Sequence, residues 1–351
     1  MQKNLKVFHL KKPKAILYLG ENLVGTTSSH RRFLISELCG SEVINVDFNS
    51  YLPKTRLMKS CTWRLHNYLR LRPFEQAILS AIHEKNFDLI WIDKGMFLTV
   101  DLIQCLRGRT ETLVFFTPDC FFLKNNVLAI QKSLSLFDAV VTTKSFEIED
   151  YLKYIVEDQL ILVNQGYTEG TGAIGNDFED RDLDVLFIGK CELHRVEIVE
   201  YLAKNNIGVA VGGAGWRFKM KRLSKLGVRY LGADFRGVEY QRAFERGKIG
   251  LGLLSKEFPE THTTRTLEIP YFGCAMATER NQETEAFFAS DEVFFYDTPE
   301  DLLQVVKESF RTNSWKEVAK KGQLKILQSS FSWRAQIESV LSSLRSKPGN
   351  S

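Results

Sequence analysis

The sequence predicts an α/β protein built from two doubly wound parallel-sheet domains that face a cleft. Short apolar runs recur along the 351 residues, and a segment long enough for a helix follows most of them. Residues 166–184 are rich in glycine and acidic residues, lack apolar periodicity and separate two such series, so we interpret them as a surface linker. The first run of each series leads into a glycine-containing turn, which is typical of a ligand-binding edge.

The two series predict an N-terminal domain over residues 1–165 and a C-terminal domain over residues 185–330, both Rossmann-like. Residues 331–351 are predicted to form a C-terminal helix and a frayed tail. The predicted strands of the first domain are residues 15–20, 42–48, 88–93, 112–117, 138–143 and 160–163. Those of the second are residues 185–188, 208–211, 228–231, 248–254, 274–278 and 292–296.

Composition excludes several classes of protein. The chain is 44% hydrophobic and 26% charged, and its net charge of +4 is too small to indicate a nucleic-acid partner. Its six cysteines are scattered without a C-x-x-C pair, which argues against a zinc site and favours a reducing compartment. No signal-peptide pattern or apolar run of 18 residues occurs, so the sequence predicts a cytoplasmic protein.

The segment from Glu260 to Arg280 carries the clearest candidate site. Thr263 or Thr264 is a suitable N-cap, and the helix start that it opens favours a phosphate. His262 and Arg265 could add donors or charge there, and Glu268 shares a helical face with Arg265. We expect Arg265 to contact a diphosphate and Glu268 to accept hydrogen bonds from ribose hydroxyls. The alternative is a capped surface helix with an Arg–Glu pair.

Two other loops of the second domain fit the same nucleotide. Gly189 and Lys190, with His194 and Arg195 at the next helix start, offer backbone groups and positive charge to phosphates. The turn from Gly212 to Phe218 places the Trp216 ring where a base could stack, with Gly213 and Gly215 giving the turn its flexibility. The alternatives are a plain tight turn at Gly189, a helix-capping His194 and a core position for Trp216. A G-x-G-x-x-G fingerprint is missing, which disfavours an NAD-dependent oxidoreductase.

The first domain supplies candidates for the acceptor side. Gly25 and Thr26 lie in the loop after the first strand, and Lys94 follows the third strand. Asp119 and His30 are expected at loop ends that face the cleft, where either could act as a general base. The alternative for Asp119 is a helix cap.

Residues 54–72 are basic and aromatic and contain no acidic residue. Leu57, Cys61, Leu65 and Leu69 fall at helical spacing, with basic residues partly facing away from them. This pattern suggests a surface for an anionic acceptor or for phospholipid head groups at the inner face of a membrane. The alternative, which we favour from the sequence, is a solvated helix that covers the sheet.

The segment H-T-T-R-T-L-E-I-P-Y-F-G-C-A-M-A-T-E-R, residues 262–280, resembles a pattern of the CgeB-like (spore-protein-type) glycosyltransferases of the GT-B class, T-S-R-x-F-E-I-x-A-x-G-x-x-x-x-T-E-R. F-I-G-K-C-E-L-H-R and G-G-A-G-W-R are similar to earlier blocks of that family. The N-terminal half is more loosely similar, through Y-L-G-E-N, S-S-H-R-R, I-D-K-G and F-T-P-D. The resemblance is specific over residues 184–299.

The resemblance implies metal-independent transfer of a sugar from a nucleotide sugar, such as a UDP or GDP sugar, to a glycan, lipid-linked or protein acceptor, as in polysaccharide biosynthesis. It implies no cofactor, a terminal helix that crosses back to the first domain, and donor contacts by Arg265 and Glu268. Met276 stands where retaining enzymes often carry a second glutamate, and Pro270 would kink or shorten the helix. This incomplete pattern leaves the alternative of a nonenzymatic nucleotide- or glycan-binding or assembly protein.

Overall fold

The computed structural model describes residues 12–83, 85–170 and 178–346. The chain divides into two compact units, one of residues 1–164 with 333–351 and the other of residues 165–332. Residues 171–177, within the predicted linker, lie outside the described residues, as do residues 347–351 of the predicted tail.

The first unit is a six-stranded parallel sheet in the order β2-β1-β3-β4-β5-β6. Apolar side chains that alternate along β1 pack into separate clusters on the two faces of this sheet, with Leu17 and Leu19 on one face and Ile16 and Tyr18 on the other. The strands are β1 Ile16–Leu19, β2 Val43–Val46, β3 Phe87–Asp93, β4 Thr110–Thr117, β5 Ala139–Thr142 and β6 Leu160–Leu162. The helices among them are α1 Thr27–Cys39, α2 Arg56–Arg64, α3 Arg72–Ile82, α4 Val100–Arg107, α5 Leu128–Lys132 and α6 Ile148–Tyr151.

The second unit is also a six-stranded parallel sheet, in the order β12-β11-β10-β7-β8-β9, with an apolar cluster on each face. Its strands are β7 Leu183–Ile188, β8 Val209–Gly212, β9 Arg229–Gly232, β10 Gly247–Gly252, β11 Ala275–Glu279 and β12 Phe294–Tyr296. Its helices are α7 Leu193–Lys204, α8 Met220–Leu223, α9 Gly237–Glu245, α10 Thr264–Tyr271, α11 Gln282–Phe287, α12 Pro299–Thr312 and α13 Trp315–Leu327. The predicted α/β class with two doubly wound parallel sheets is confirmed, because each apolar run forms a strand within about two residues of its expected ends.

The last helix, α14 Trp333–Ser346, belongs to the first unit. Trp333 and Ile337 are fully buried in the cluster that covers one face of the first sheet. The chain therefore completes the first unit only after it has passed through the whole of the second.

A buried ion pair lies where several elements of the first unit meet. The guanidinium of Arg31, on α1, is fully buried and donates from Nε and Nη2 to the two carboxylate oxygens of Asp93, at 2.8 and 3.0 Å. The Tyr18 hydroxyl donates to the same carboxylate at 2.6 Å, and burial raises the pKa of Tyr18 well above its ordinary value. The guanidinium carbon of Arg31 also lies 4.6 Å from the ring centroid of Phe116 and 4.9 Å from that of Trp333. With Tyr18 of β1 and Phe116 of β4, the pair thus brings α1, β3 and α14 together.

The described part of the predicted linker is anchored to the second unit rather than lying free on the surface. Arg181 is buried, and its guanidinium donates to the carbonyl oxygens of Gly247 and Gly273. Asp182 forms salt bridges with Arg229 and Arg246. The composition of residues 166–184 could not show these contacts, because both arginine–carbonyl partners lie more than 60 residues further along the chain.

Within the described residues, the helices are too short or too polar for any of them to span a bilayer.

Candidate functional site

The strand order indicates a candidate ligand site in the second sheet, at the carboxyl ends of β7 and β10. β7 lies at the centre, with β8 and β9 on one side and β10, β11 and β12 on the other, so the winding direction reverses between β7 and β10. Ligands of open α/β sheets bind beyond the carboxyl ends of the strands at such a reversal. The loops that leave β7 and β10 here contain Gly189 and residues 253–263.

Two glycines let the backbone of these loops approach closely. Gly213 has φ +113°, and a Cβ atom there would lie 2.3 Å from the carbonyl oxygen of Gly189. A Cβ atom on Gly189 would lie 2.8 Å from the Phe187 ring and 3.2 Å from Nη1 of Arg265. A side chain at either position would displace backbone or the arginine. Gly215, with φ +92°, completes the same turn.

Two arginines meet at the Phe187 ring beside this turn. The guanidinium carbons of Arg265 and Arg195 lie 5.6 and 5.4 Å from its centroid. Arg195 is buried and held by the Lys190 carbonyl and the Glu192 carboxylate, both at 3.0 Å. Burial, and next the charge of Arg265, lowers the pKa of Arg195 to about 10. The site therefore concentrates positive charge.

Arg265 lacks the carboxylate partner that Arg195 has. Its hydrogen bond is a long one, from Nη2 to the Leu253 carbonyl at 3.4 Å. Within the described residues it makes no salt bridge, and its buried Nε has no hydrogen-bond partner. Because a partly buried guanidinium without a carboxylate favours an anion, Arg265 is the group in this site best suited to bind one.

Hydrogen bonds tie the loops around Arg265 together. His194 donates from Nε2 to the Leu254 carbonyl at 2.7 Å, which leaves that nitrogen unavailable to a phosphate. The Ser255 hydroxyl donates to Glu192 at 2.9 Å, and the Ser255 N–H donates to Glu260, also at 2.9 Å. Lys190 is more exposed, with Nζ 3.7 Å from Glu257. These contacts fix the loop after β10 against the start of α7.

Helix α10 begins where the sequence predicts. Thr263 is the N-cap, and its N–H donates to Oγ1 of Thr266 at 3.0 Å. The helix has only eight residues and ends one residue after Pro270, as the proline predicts.

Glu268 lies half-buried one turn into α10. Burial raises its pKa to about 7, against the opposing effects of a hydrogen bond from Tyr240, the charge of Arg265 and a hydrogen bond from Thr264. Tyr240 packs its ring edge-on against Phe244, with centroids 5.0 Å apart. Tyr240 could not be recognised as a partner of Glu268 from the sequence, since nothing in α9 relates it to a residue 28 positions later.

Two predicted donor contacts are wrong. The Trp216 ring is fully buried against Phe187, and its Nε1 donates to the Gly189 carbonyl at 2.9 Å, so no base can stack on it. The imidazole of His262 is buried, and its Nε2 accepts the backbone N–H of Gln165 at 3.1 Å. Nδ1 must therefore carry the proton, which it donates to Glu283 at 2.6 Å. Both nitrogens of His262 are occupied, so it supplies no donor to a phosphate.

In the first unit, the strand order reverses between β1 and β3, and the three acceptor-side candidates lie in the chain that follows those strands. Thr26 is the N-cap of α1, and its side chain accepts the Ser29 N–H at 3.3 Å. Gly25 precedes it with φ +82°. Lys94 has φ +65°, an uncommon conformation for a residue with a side chain.

The two candidate general bases, Asp119 and His30, have different surroundings. Asp119 lies 2.8 Å from Nζ of Lys94. Burial, the largest single effect, raises the pKa of Asp119, but the charge and hydrogen bond of Lys94 and the charges of Lys144 and Arg31 together leave it lowered. A lowered pKa weakens Asp119 as a base. His30 is in α1 rather than at a loop end, and its ring stacks on Phe33 with centroids 6.4 Å apart.

Comparison with known proteins agrees with this architecture. Residues 195–342 match a sequence family described as glycosyl transferase-like. No curated protein matches the chain significantly. HepE from Anabaena in complex with UDP-glucose is similar in structure, with a TM-score of 0.65, 14% identity, and coverage of 94% of this chain and 100% of that one. Sucrose-phosphate synthase from Thermosynechococcus elongatus gives a TM-score of 0.64 at 12% identity, covering 95% of this chain and 98% of that one.

A third similar structure is α,α-trehalose 6-phosphate synthase from Burkholderia multivorans, with a TM-score of 0.60, 10% identity, and coverage of 95% of this chain and 98% of that one. These likenesses confirm the GT-B fold. With the family match, they confirm the prediction that the chain is a glycosyltransferase.

Proposed function

We propose that the protein transfers a sugar from a UDP-sugar donor, without a metal ion, and that the second unit binds the donor. The observation that carries this proposal is Arg265, a partly buried guanidinium without a salt bridge in the described structure, beside the glycine turn at the switch between β7 and β10. A diphosphate would supply the missing negative charge, and the same guanidinium would stabilise the leaving group as the glycosidic bond breaks. UDP is favoured because HepE, which shares the fold, was solved with UDP-glucose.

We assign the remaining contacts with the donor nucleotide to residues near Arg265. Glu268 would accept hydrogen bonds from the ribose hydroxyls, and Lys190 would offer its charge to the phosphates. The predicted backbone contact by Gly189 is not available, because its N–H donates to the Gly212 carbonyl at 2.9 Å, so Gly189 only allows a close approach. Arg195 acts through its charge while it stays paired with Glu192. Thr264 orients Glu268.

For the acceptor, we propose that the first unit contributes Lys94 and Asp119, which meet beyond the carboxyl ends of β3 and β4. An acceptor hydroxyl that displaced Lys94 from Asp119 would restore the basicity of that carboxylate. We also propose that the specificity is CgeB-like and that the acceptor is a glycan, a lipid-linked molecule or a protein. The reaction is proposed to take place in the cytoplasm. The six free thiols support the reducing compartment.

A thermal-shift panel of nucleoside diphosphates and nucleotide sugars tests the donor. UDP and UDP-sugars are expected to raise the melting temperature most, because a ligand that binds only the folded state stabilises it by mass action, about 2.7 kcal/mol at a concentration 100 times its Kd. Sugar transfer or slow donor hydrolysis should accompany that binding. Tight UDP binding without either reaction would instead support a nonenzymatic nucleotide-binding protein, and no response to any nucleotide would reject the donor site.

Donor binding should also depend on pH through Glu268. Ribose hydroxyls donate to the ionised carboxylate, so affinity for UDP-glucose should rise about five- to tenfold from pH 6 to pH 8, through the Glu268 pKa of about 7. Stability of the free protein should change in the opposite sense. The raised pKa favours the folded state below the ordinary value of 4.5, and this contribution is lost as pH rises through 7.

Isothermal titration calorimetry with UDP-glucose measures this pH dependence without interference from a titrating terminal phosphate. Glu268→Gln is the matched control, since it keeps the shape of the side chain and removes the titration. The variant should give a flat profile. A wild-type profile that is flat, or one that stays steep in Glu268→Gln, would show that Glu268 is not the ribose contact.

A further inference from the structure

Helix α2 and the turn after it are attached to the first unit along one side. The Trp63 ring packs against Phe48 and Phe97, with centroids 5.6 and 6.2 Å apart. His66 Nε2 lies 3.1 Å from the Asn126 carbonyl, and Asn67 donates to the same carbonyl at 2.8 Å. The segment therefore has a defined inner side.

Its outer side is apolar and exposed. Leu57 is 77% exposed, Met58 58% and Tyr68 79%. Leu65 and Leu69, which the sequence placed on the side covering the sheet, are exposed as well. The expectation of a helix that covers the sheet through this stripe is therefore wrong, since Trp63 makes the inward contact instead. A cluster of large exposed apolar side chains usually marks an interaction surface.

Basic side chains border this apolar surface, and the segment itself contributes no acidic residue. The sequence from residue 48 to residue 74 contains no aspartate or glutamate. The basic residues Lys54, Lys59, Arg64 and Arg72 are all exposed. Arg70 is the one member paired with a carboxylate in the described structure, that of Glu75. The surface thus combines apolar side chains with basic side chains that, apart from Arg70, form no salt bridge in the described structure.

We propose that residues 54–72 bind the protein peripherally to membranes that contain anionic lipids. Leucine, methionine and tyrosine side chains enter the boundary between head groups and acyl chains, while lysine and arginine contact anionic head groups. A soluble polyanion would use the charges but would leave Leu57 and Tyr68 in water, and an apolar partner would leave the charges without a counterpart. A lipid surface satisfies both sets. The inference goes beyond the proposed donor chemistry and needs no nucleotide.

Vesicle co-sedimentation of the full chain tests the proposal. Vesicles with about 30% phosphatidylglycerol in phosphatidylcholine should bind the protein, vesicles of phosphatidylcholine alone should not, and raising the salt should weaken binding steeply. The double variant Leu57→Ser with Tyr68→Ser and the double variant Lys59→Gln with Arg64→Gln should each lose about tenfold or more in affinity. Lys221→Gln with Lys225→Gln, exposed lysines of the second unit, and Val156→Ser, an exposed apolar residue of the first, should bind like wild type.

Several results would overturn the proposal. One is failure of the folded wild-type protein to bind the anionic vesicles, and another is undiminished binding by both double variants. Binding of dextran sulfate but not vesicles would assign the surface to a soluble polyanion, and concentration-dependent dimerisation that the Leu57→Ser/Tyr68→Ser pair abolishes would assign it to a second copy. Thermal shifts with nucleotides, measured on the same samples, show whether a variant that loses vesicle binding still binds the donor.

Discussion

Replacing Arg265 by alanine is expected to weaken UDP binding by about 100-fold or more, because the substitution removes a charge-assisted, partly buried donor for the diphosphate. In the free protein, Arg265 is bonded through one long contact to the Leu253 carbonyl, so its loss should cost little stability. Arg265→Lys should give an intermediate affinity, since it keeps the charge and loses the forked donor geometry.

Titration calorimetry with UDP measures the effect, and melting temperatures show whether each variant is folded. Arg311→Ala is the matched control: Arg311 is an arginine of the same unit, paired with Glu308 on the surface of α12. This control should bind UDP normally. If folded Arg265→Ala kept wild-type affinity for UDP, the assignment of the diphosphate to this arginine would be wrong.

Replacing Asp93 by alanine is expected to cost about 3–5 kcal/mol of unfolding free energy, because it leaves the Arg31 guanidinium buried without its carboxylate. Tyr18 would lose the same hydrogen-bond acceptor. Urea denaturation measures the loss, and Glu308→Ala, which breaks an exposed pair with Arg311, should change stability by about 1 kcal/mol or less.

A double variant distinguishes the effect of the two charges on stability from the effect of the volume that their side chains fill. Arg31→Met with Asp93→Leu removes both charges and keeps apolar volume, so it should recover much of the stability that Asp93→Ala loses. If Asp93→Ala were as stable as wild type, the buried pair would contribute nothing to the first unit. Because Trp333 packs on Arg31, the single variant should also expose α14 to faster hydrogen exchange.

The strands could be predicted from the sequence because buried parallel strands read as short, uninterrupted apolar runs, and local composition carries that signal. Arg265 and Glu268 could be placed on one helix face for the same reason, since their spacing is local. Trp216 and His262 could not. A tryptophan beside a glycine turn could equally stack on a nucleotide base or pack in the core. Only the fold shows that Phe187 and the Gly189 carbonyl surround it.

Partners far along the chain account for the other errors. His262 is held by Gln165, 97 residues away, and by Glu283, 21 residues away, and neither is visible as a pattern. The same applies to Arg181 in the predicted linker. For residues 54–72, helical spacing predicts one apolar stripe, but α2 ends at Arg64, so Leu65 and Leu69 do not continue it. Spacing also cannot show that Trp63, rather than the leucines, makes the inward contact.

The position of α14 has a consequence for synthesis of the chain. Residues 165–332 are contiguous, so the second unit can fold as soon as it has left the ribosome. The first unit begins earlier but finishes later, because Trp333 and Ile337 fill one side of its sheet. Until they arrive, α1 alone covers part of that apolar side, and Arg31 lacks one of its two aromatic neighbours. The half of the protein that is made first is therefore the last to complete its native packing, and it exposes apolar surface during that interval.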